Sequence, residues 1–310
     1  MIGAGPVGLF AAYFAHLHGL NVAIFDALAE AGGQPAALYP SKIIQDIPVF
    51  NEIAAYDLTN RLINNLSDDC SLFLNHKVET ITEKDSYYII DDLLQSRGII
   101  IATGAGAFKP KAFPLPVPET LQSKVNYFIK NPATFAGKNV AVLGGGDSAL
   151  DLAIELSKVA NVTLIHRRNE FRGLESNVEK VKTNPKIQLL TPYLPHSVSD
   201  KNGKFELSLK KVGTELIDQA EFDNLLVAYG FRANNRFVKK WGIQTSDGLI
   251  EVDRKMQTSK ERIFAVGDCV TYAGRVPVIG IGFGEAQLAI SNIMQSLFPE
   301  KKITIHSTSI

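Results

Sequence analysis

Two glycine turns constrain this sequence more than any other feature. The first, Gly3-Ala4-Gly5-Pro6-Val7-Gly8, opens the chain and runs into the apolar stretch Leu9 to Leu20. The second, Gly144-Gly145-Gly146-Asp147-Ser148-Ala149, follows the apolar run Asn139 to Leu143. It leads into a helix predicted from Leu150 to about Val159. Each turn and helix is followed by a short strand, Asn21 to Phe25 after Gly19 and Val162 to His166 after the second helix. The unit of strand, glycine turn, helix, strand and charged end therefore occurs twice, near residues 3–26 and 140–168. A repeated βαβ unit implies an α/β fold with two related domains. A chain of 310 residues has room for both.

The remaining segments fit around these units. A helix is predicted over Asp57 to Leu66, with apolar positions at 58, 62, 63 and 66. Val78 to Ile90 reads as strand material with polar breaks. Gly98 to Ala102 reads as a buried strand ending at Thr103-Gly104. Four prolines between Lys109 and Pro118 suggest a stiff connector, and the domain boundary is expected there. Ile187 to Leu209 suits antiparallel strands turning at Asn202-Gly203. Leu225 to Tyr229 and Ile263 to Val266 read as buried strands, the latter ending at Gly267-Asp268. The last helix is expected from near Gly284 to about Leu297. The expected domains are thus residues 1–113 with 238–310, discontinuous, and residues 114–237. Only Met1 and Ile2 precede Gly3, where the unit needs a full central strand. A start placed late or a trimmed chain is the expectation.

Composition excludes several classes. Formal charge is zero, with 32 basic and 32 acidic residues, so neither nucleic acid nor an anionic membrane is expected as a bulk partner. The two cysteines, Cys70 and Cys269, form no CxxC and no metal-ligand spacing. No metal site is expected. No apolar run approaches the roughly 18 residues of a membrane span, so a cytoplasmic protein is expected.

The acceptor at the end of each unit's second strand distinguishes the two turns. A glycine turn at a helix start lets the backbone approach a pyrophosphate, whose charge the helix N-terminus favours. Gly3, Gly5 and Gly8 are the candidate residues in the first turn, and Gly144, Gly146, Asp147 and Ser148 in the second. Asp26 lies about 18 positions after Gly8, near the spacing of a ribose-binding carboxylate. A carboxylate accepts from ribose hydroxyls and repels a 2′-phosphate, so the first site should hold FAD or NAD. The equivalent position in the second unit is His166-Arg167-Arg168, with Arg172 close behind. Guanidinium groups bind phosphate by charge-assisted hydrogen bonds, so the second site reads as NADPH. Gly267-Asp268 offers a third contact, in which a strand-end carboxylate meets a flavin ribitol. The following helix would stabilise the reduced flavin with its N-terminus.

At this point the sequence resembles the thioredoxin-reductase-like ferredoxin/flavodoxin–NADP+ reductases over nearly its whole length. The resemblance rests on Gly32-Gly33-Gln34 with Leu38-Tyr39-Pro40, on Gly106-Ala107-Phe108-Lys109-Pro110, and on the second glycine turn with His166-Arg167-Arg168 and Phe171-Arg172. It continues through Gly267-Asp268, Gly282-Phe283-Gly284-Glu285-Ala286 and the terminal His306-Ser307-Thr308-Ser309. It implies two Rossmann-like dinucleotide-binding domains of the thioredoxin-reductase type, three-layered with β-meander insertions. It implies an FAD enzyme that takes hydride from NADPH and passes single electrons to ferredoxin or flavodoxin, and a homodimer. It also implies that Asp26 and Gln34 contact the FAD ribose and its neighbourhood, that Val78 and Phe108 line the FAD pocket, and that Asp268 binds the ribitol. Tyr39 would stack on the isoalloxazine, His306 would cover its other face, and Ser307 would hydrogen-bond nearby. Val125 to Phe135 contains no cysteine, although thioredoxin reductases carry their redox CxxC in that region. A disulfide reductase is therefore the weaker alternative. A non-catalytic flavin- and NADP-binding sensor is the alternative from another class.

Overall fold

The structure is a computed structural model, and it describes residues 1–40, 42–106, 109–129, 131–232 and 235–301. The chain divides into two compact units, Met1–Phe108 with Ala233–Ile310, and Lys109–Arg232. Both boundaries lie five residues before the expected positions. The prolines are not a free connector from their start, because Lys109–Pro110 pairs antiparallel with Phe231–Arg232 inside the second unit.

In the first unit, α1 (Pro6–Leu17) starts at Pro6 and ends where Gly19 adopts a φ of 74°. It leads to β1 (Ala23–Phe25), then to the short α2 (Gly33–Leu38) and to α3 (Ala55–Asn64). Next come β2 (Ser71–Phe73) and β3 (Ile99–Ile101). β1 pairs parallel with β2. Where the first βαβ unit requires a central strand, the first three residues form isolated bridges. Ile2 bridges Phe25 on one side and Ile101 on the other, both parallel. The main-chain bonds there are Ile2 N–H on Ile100 O at 2.9 Å, Ala102 N–H on Ile2 O at 2.8 Å and Gly3 N–H on Phe25 O at 2.8 Å.

The second unit is built on a five-stranded parallel sheet. Its strands are β4 (Val125–Asn126), β5 (Asn139–Leu143), β6 (Asn161–Ile165), β7 (Ile187–Leu190) and, later in the chain, β11 (Asn224–Val227). The order is β4-β11-β5-β6-β7. Helices α4 (Asp147–Leu156) and α5 (Glu175–Thr183) connect β5 to β6 and β6 to β7. A meander of β8 (Tyr193–Lys201), β9 (Lys204–Lys211) and β10 (Ile217–Phe222) turns at Asn202-Gly203, as expected. Phe205, Leu207, Leu209 and Phe222 pack there against Ala141, Leu143, Ile165, Leu225 and Val227 of the parallel sheet. One expectation is corrected here. Ile187–Leu190 belongs to the parallel sheet and not to the antiparallel group, because α5 intervenes and makes β6-α5-β7 a second crossover.

The chain returns to the first unit at Ala233 and there adds β12 (Ile263–Ala265), which pairs parallel with β3, and α6 (Ile279–Leu297). Period-two alternation sorts these strands between two faces. Ile99, Ile101, Ile263 and Ala265 face a core with Tyr88, Trp241 and Ile250. Ile100 and Phe264 face Ala15 of α1 and Ala289, Ile290 and Ile293 of α6. Helices, parallel sheet and antiparallel strands (residues 81–83, 88–90 and 94–96 forming the meander) thus make three layers. The start of α6 is a second correction. It lies at Ile279, not near Gly284, so Gly280, Gly282 and Gly284 are helical. The glycines there answer a packing need: a Cβ on Gly282 would lie 2.5 Å from Val7 Cγ2.

Candidate functional site

In the first unit the glycine turn is shaped by close approach. Gly3 has a φ of 110°, and a Cβ there would lie 2.3 Å from Ala102 O. A Cβ on Gly8 would lie 2.0 Å from Gly3 O, so α1 can start this near the sheet only with glycine. Gly5 differs from both. It is the N-cap of α1 in extended conformation, and the nearest atom to its Cβ position is Gly33 Cα at 3.9 Å. The space over Gly5 is open, and no side chain caps the helix. Pro6 has no N–H to satisfy, so the first-turn amides of Val7 and Gly8 are the donors left for an anion.

Asp26 stands at the end of β1. Its Oδ2 accepts the Ala4 N–H at 2.6 Å and its Oδ1 accepts the Leu28 N–H at 2.8 Å. A carboxylate has about four lone-pair sites. The two amides fix its orientation and leave acceptor capacity for ribose hydroxyls. Gly32 N–H donates to Ala4 O at 2.8 Å, so α2 starts against the turn, with the half-buried Gln34 as its second residue. Tyr39 follows α2, half-buried. Val78 is 4% exposed, with its side chain in the core beside Ile2 and Phe25. What it can offer a ligand is its main chain.

The Gly267-Asp268 turn sits against the same helix start. Gly267 has a φ of 77°, and its Cβ position lies 3.4 Å from Val7. Val7 therefore lies between Gly267 and Gly282, which brings the N-termini of α1 and α6 and the Gly-Asp turn together. Sequence reasoning missed the network behind this turn. Glu285 of α6 is 2% exposed. It accepts from Gly267 N–H at 2.6 Å, Tyr272 Oη–H at 2.8 Å and Arg275 Nε–H at 3.0 Å. Arg275 also donates to Asp268 Oδ1 at 3.2 Å. Burial, reinforced by the bond to Glu285, pushes the Tyr272 hydroxyl up to about 12. The signal in the sequence was an acidic residue within an apolar glycine-rich helix, which is buried only when paired.

The second unit repeats the turn with the opposite charge. Gly144 packs so that a Cβ would lie 2.5 Å from Ala228 O. Gly146 is the N-cap of α4, again without a side-chain cap, and Ser148 lies in the first turn. The His166 ring lies over Gly145, where a Cβ would meet it at 2.4 Å, and stacks on Phe171. Burial, then Arg167, with Arg168 and Arg172 adding, holds the imidazole below its usual value of 6.5. These three arginines are exposed, and none forms an ion pair with a carboxylate among the described residues. The Arg172 segment is bound to the turn through main chain, with Arg172 N–H on Gly145 O at 2.7 Å and a bridge between Gly146 and Arg172. Asp147 Oδ1 accepts the Leu174 N–H at 2.9 Å, at the start of α5. That bond gives Asp147 a positioning use, and it turns a carboxylate that would repel a pyrophosphate towards another amide.

Phe108, His306 and Ser307 lie outside the described residues. Among the described residues no group of three or more His, Cys, Asp or Glu could hold a metal ion. No helix among them is long and apolar enough to cross a membrane.

The profile of the pyridine nucleotide-disulphide oxidoreductases matches residues 1–295. The chain belongs to this family. Among relatives of this oxidoreductase chain is the ferredoxin–NADP reductase of Lactobacillus delbrueckii subsp. bulgaricus, 59% identical over 310 residues and covering all of both chains. The ferredoxin–NADP reductase of Streptococcus sanguinis is 40% identical over 316 residues, covering all of this chain and 98% of that one. Among solved structures, the thioredoxin reductase of Lactococcus lactis in its FR conformation has a TM-score of 0.83 at 25% identity. It covers 96% of this chain and 98% of its own. The oxidoreductase fold of two Rossmann-like halves accords with these likenesses. The two glycine turns, each at a helix N-terminus without a side-chain cap, fit a pair of dinucleotides.

Proposed function

We propose that this chain is an FAD-dependent ferredoxin–NADP+ oxidoreductase, with flavodoxin as the alternative electron partner. The observation that carries the proposal is the opposed charge beside two similar glycine turns, a carboxylate at Asp26 and guanidiniums at Arg167, Arg168 and Arg172 that have no carboxylate partner among the described residues. Full-length identity of 59% to a protein named ferredoxin–NADP reductase supports the same reading. In the first unit, Gly3, Gly5 and Gly8 with the α1 amides hold the FAD pyrophosphate, and Asp26 holds the ribose with Gln34 nearby. Val78 lines the FAD pocket, Tyr39 stacks on the isoalloxazine, and Asp268 accepts from the ribitol. In the second unit, Gly144, Gly146 and Ser148 receive the NADP pyrophosphate, with Asp147 holding the loop. Arg167, Arg168 and Arg172 bind the 2′-phosphate, with His166 seated on the turn. Bound FAD supplies the exchange between a two-electron hydride donor and one-electron steps, chemistry that no side chain offers.

A thioredoxin-type dithiol relay is disfavoured by the thiols themselves. Cys269 is fully buried, and burial pushes its thiol up to about 11. Burial raises Cys70 as well. We further propose a cytoplasmic homodimer, as in the family that the sequence resembles; a monomer mass by light scattering at micromolar concentration would overturn the dimer. Stopped-flow mixing with NADPH tests turnover, and rates with ferredoxin, flavodoxin and thioredoxin side by side test the partner. Bleaching of the flavin band within seconds, with reduction of ferredoxin or flavodoxin but not thioredoxin, is expected. An unbleached flavin would leave a binding module, and reduction of thioredoxin would leave a disulfide reductase.

A further inference from the structure

Behind the Gly267-Asp268 turn, one cation is shared by two carboxylates of very different exposure. The Asp268 side chain is 49% exposed, on a single 3₁₀ turn of three residues. The Glu285 side chain is 2% exposed on α6. The Arg275 side chain, 7% exposed, reaches both, through Nη2 to Asp268 Oδ1 and through Nε to Glu285 Oε1. We propose that Arg275 is a positioning residue for the flavin: anchored on Glu285, its guanidinium holds the Asp268 carboxylate for the ribitol and offsets charge beside the ring system.

The inference rests on the FAD reading of the first unit. An exposed carboxylate on a short turn has free rotamers, and fixing it before the ligand arrives removes part of the ordering cost of binding. Arg275 can do this because it is fixed itself. Glu285, held also by Gly267 N–H and Tyr272 Oη–H, joins the turn main chain, α6 and the guanidinium into one hydrogen-bonded unit. Arg275 takes Asp268 Oδ1 and leaves Oδ2 to accept from a ligand hydroxyl. The arrangement uses two donors of a rigid planar fork, which an ammonium does not reproduce. Its charge also matters. Glu285, Asp268 and Arg275 sum to one negative charge, and without the arginine they sum to two. Added negative charge disfavours a reduced flavin that is itself anionic.

The test compares wild type, R275K, R275Q and R275Q/E285Q. Flavin is stripped and re-added to measure the FAD dissociation constant by fluorescence quenching, and the flavin midpoint potential is read against a reference dye. R275Q is expected to weaken FAD binding by about tenfold or more, the range of a lost charge-assisted hydrogen bond, and to lower the midpoint potential. R275K keeps the charge and loses the fork, so affinity falls while the potential stays nearer wild type. Should R275Q fail to fold because Glu285 is left buried and unpaired, R275Q/E285Q carries the test. It restores the net charge, so weakened FAD binding with a near-wild-type potential is expected. Wild-type affinity and potential in both R275Q/E285Q and R275K would overturn the proposal. A wild-type protein that takes up no FAD would instead sink the flavin reading itself.

Discussion

At the scale of single residues, two predictions separate charge from shape. Arg167→Ala with Arg168→Ala removes cations that no carboxylate among the described residues neutralises. NADPH binding should weaken about tenfold to a hundredfold for each phosphate hydrogen bond removed. The Michaelis constant for NADH should barely change, and equal weakening of both cofactors would exclude the phosphate role. His166 gives a pH dependence of known sign. Burial and the arginines lower its folded value below 6.5, so the unfolded chain binds the proton more readily. The neutral ring therefore contributes its stability fully above 6.5, and that contribution is lost as pH falls from 6.5 through the lowered folded value. Urea midpoints should drop between about pH 7.5 and about pH 5.5. His166→Asn should flatten part of that drop, and an unchanged slope would remove His166 as its source. Residues whose chemistry is visible in their type, such as Asp26 and the arginines, were legible in the sequence. Arg275 and Glu285 were not, because the acidic residue in the apolar helix shows that a partner is needed, while the partner follows only from how α6 folds back on the Gly267 turn.

At the scale of elements, the start of α1 makes a third prediction. Gly8→Ala places a Cβ 2.0 Å from Gly3 O, so α1 must move. The FAD-free protein should lose about 1–3 kcal/mol, the usual range for overpacking, and bind FAD poorly. Gly5→Ala meets nothing nearer than 3.9 Å at an extended φ of −73°, so the FAD-free protein should keep its thermal midpoint. Its methyl group projects over the open turn and should still block FAD. Equal FAD retention in wild type and Gly5→Ala would mean that the turn is not the pyrophosphate cradle. Elements with one clear period were read well: Asn139–Leu143 matches its strand residue for residue. The failures have physical causes. The short α5 buries only Asn177, Val178 and Val181, too thin a stripe to stand out, and without it Ile187–Leu190 was assigned to the wrong sheet. The start of α6 was placed late because glycines read locally as a turn, whereas Gly282 is small to admit Val7.

At the scale of the whole molecule, the second unit is an insertion with adjoining ends, since Lys109–Pro110 pairs with Phe231–Arg232. It has its own core, around Leu143, Phe205, Leu207 and Leu225, and its own five-stranded sheet. Excised as residues 109–232, it should fold cooperatively and bind NADP+ in preference to NAD+. Circular dichroism on heating and isothermal titration check this, and a segment without a cooperative transition would show that the first unit is needed for its folding. Inside that unit, Arg172 is tied to the glycine turn by its amide and not by its guanidinium. On the proposed reading, the main chain at 172 belongs to the scaffold that receives the cofactor, and the guanidinium on the same residue is left to discriminate between cofactors. On that reading, a side chain exchanged at 172 alters the preference for a 2′-phosphate while the main-chain cradle stays as it is.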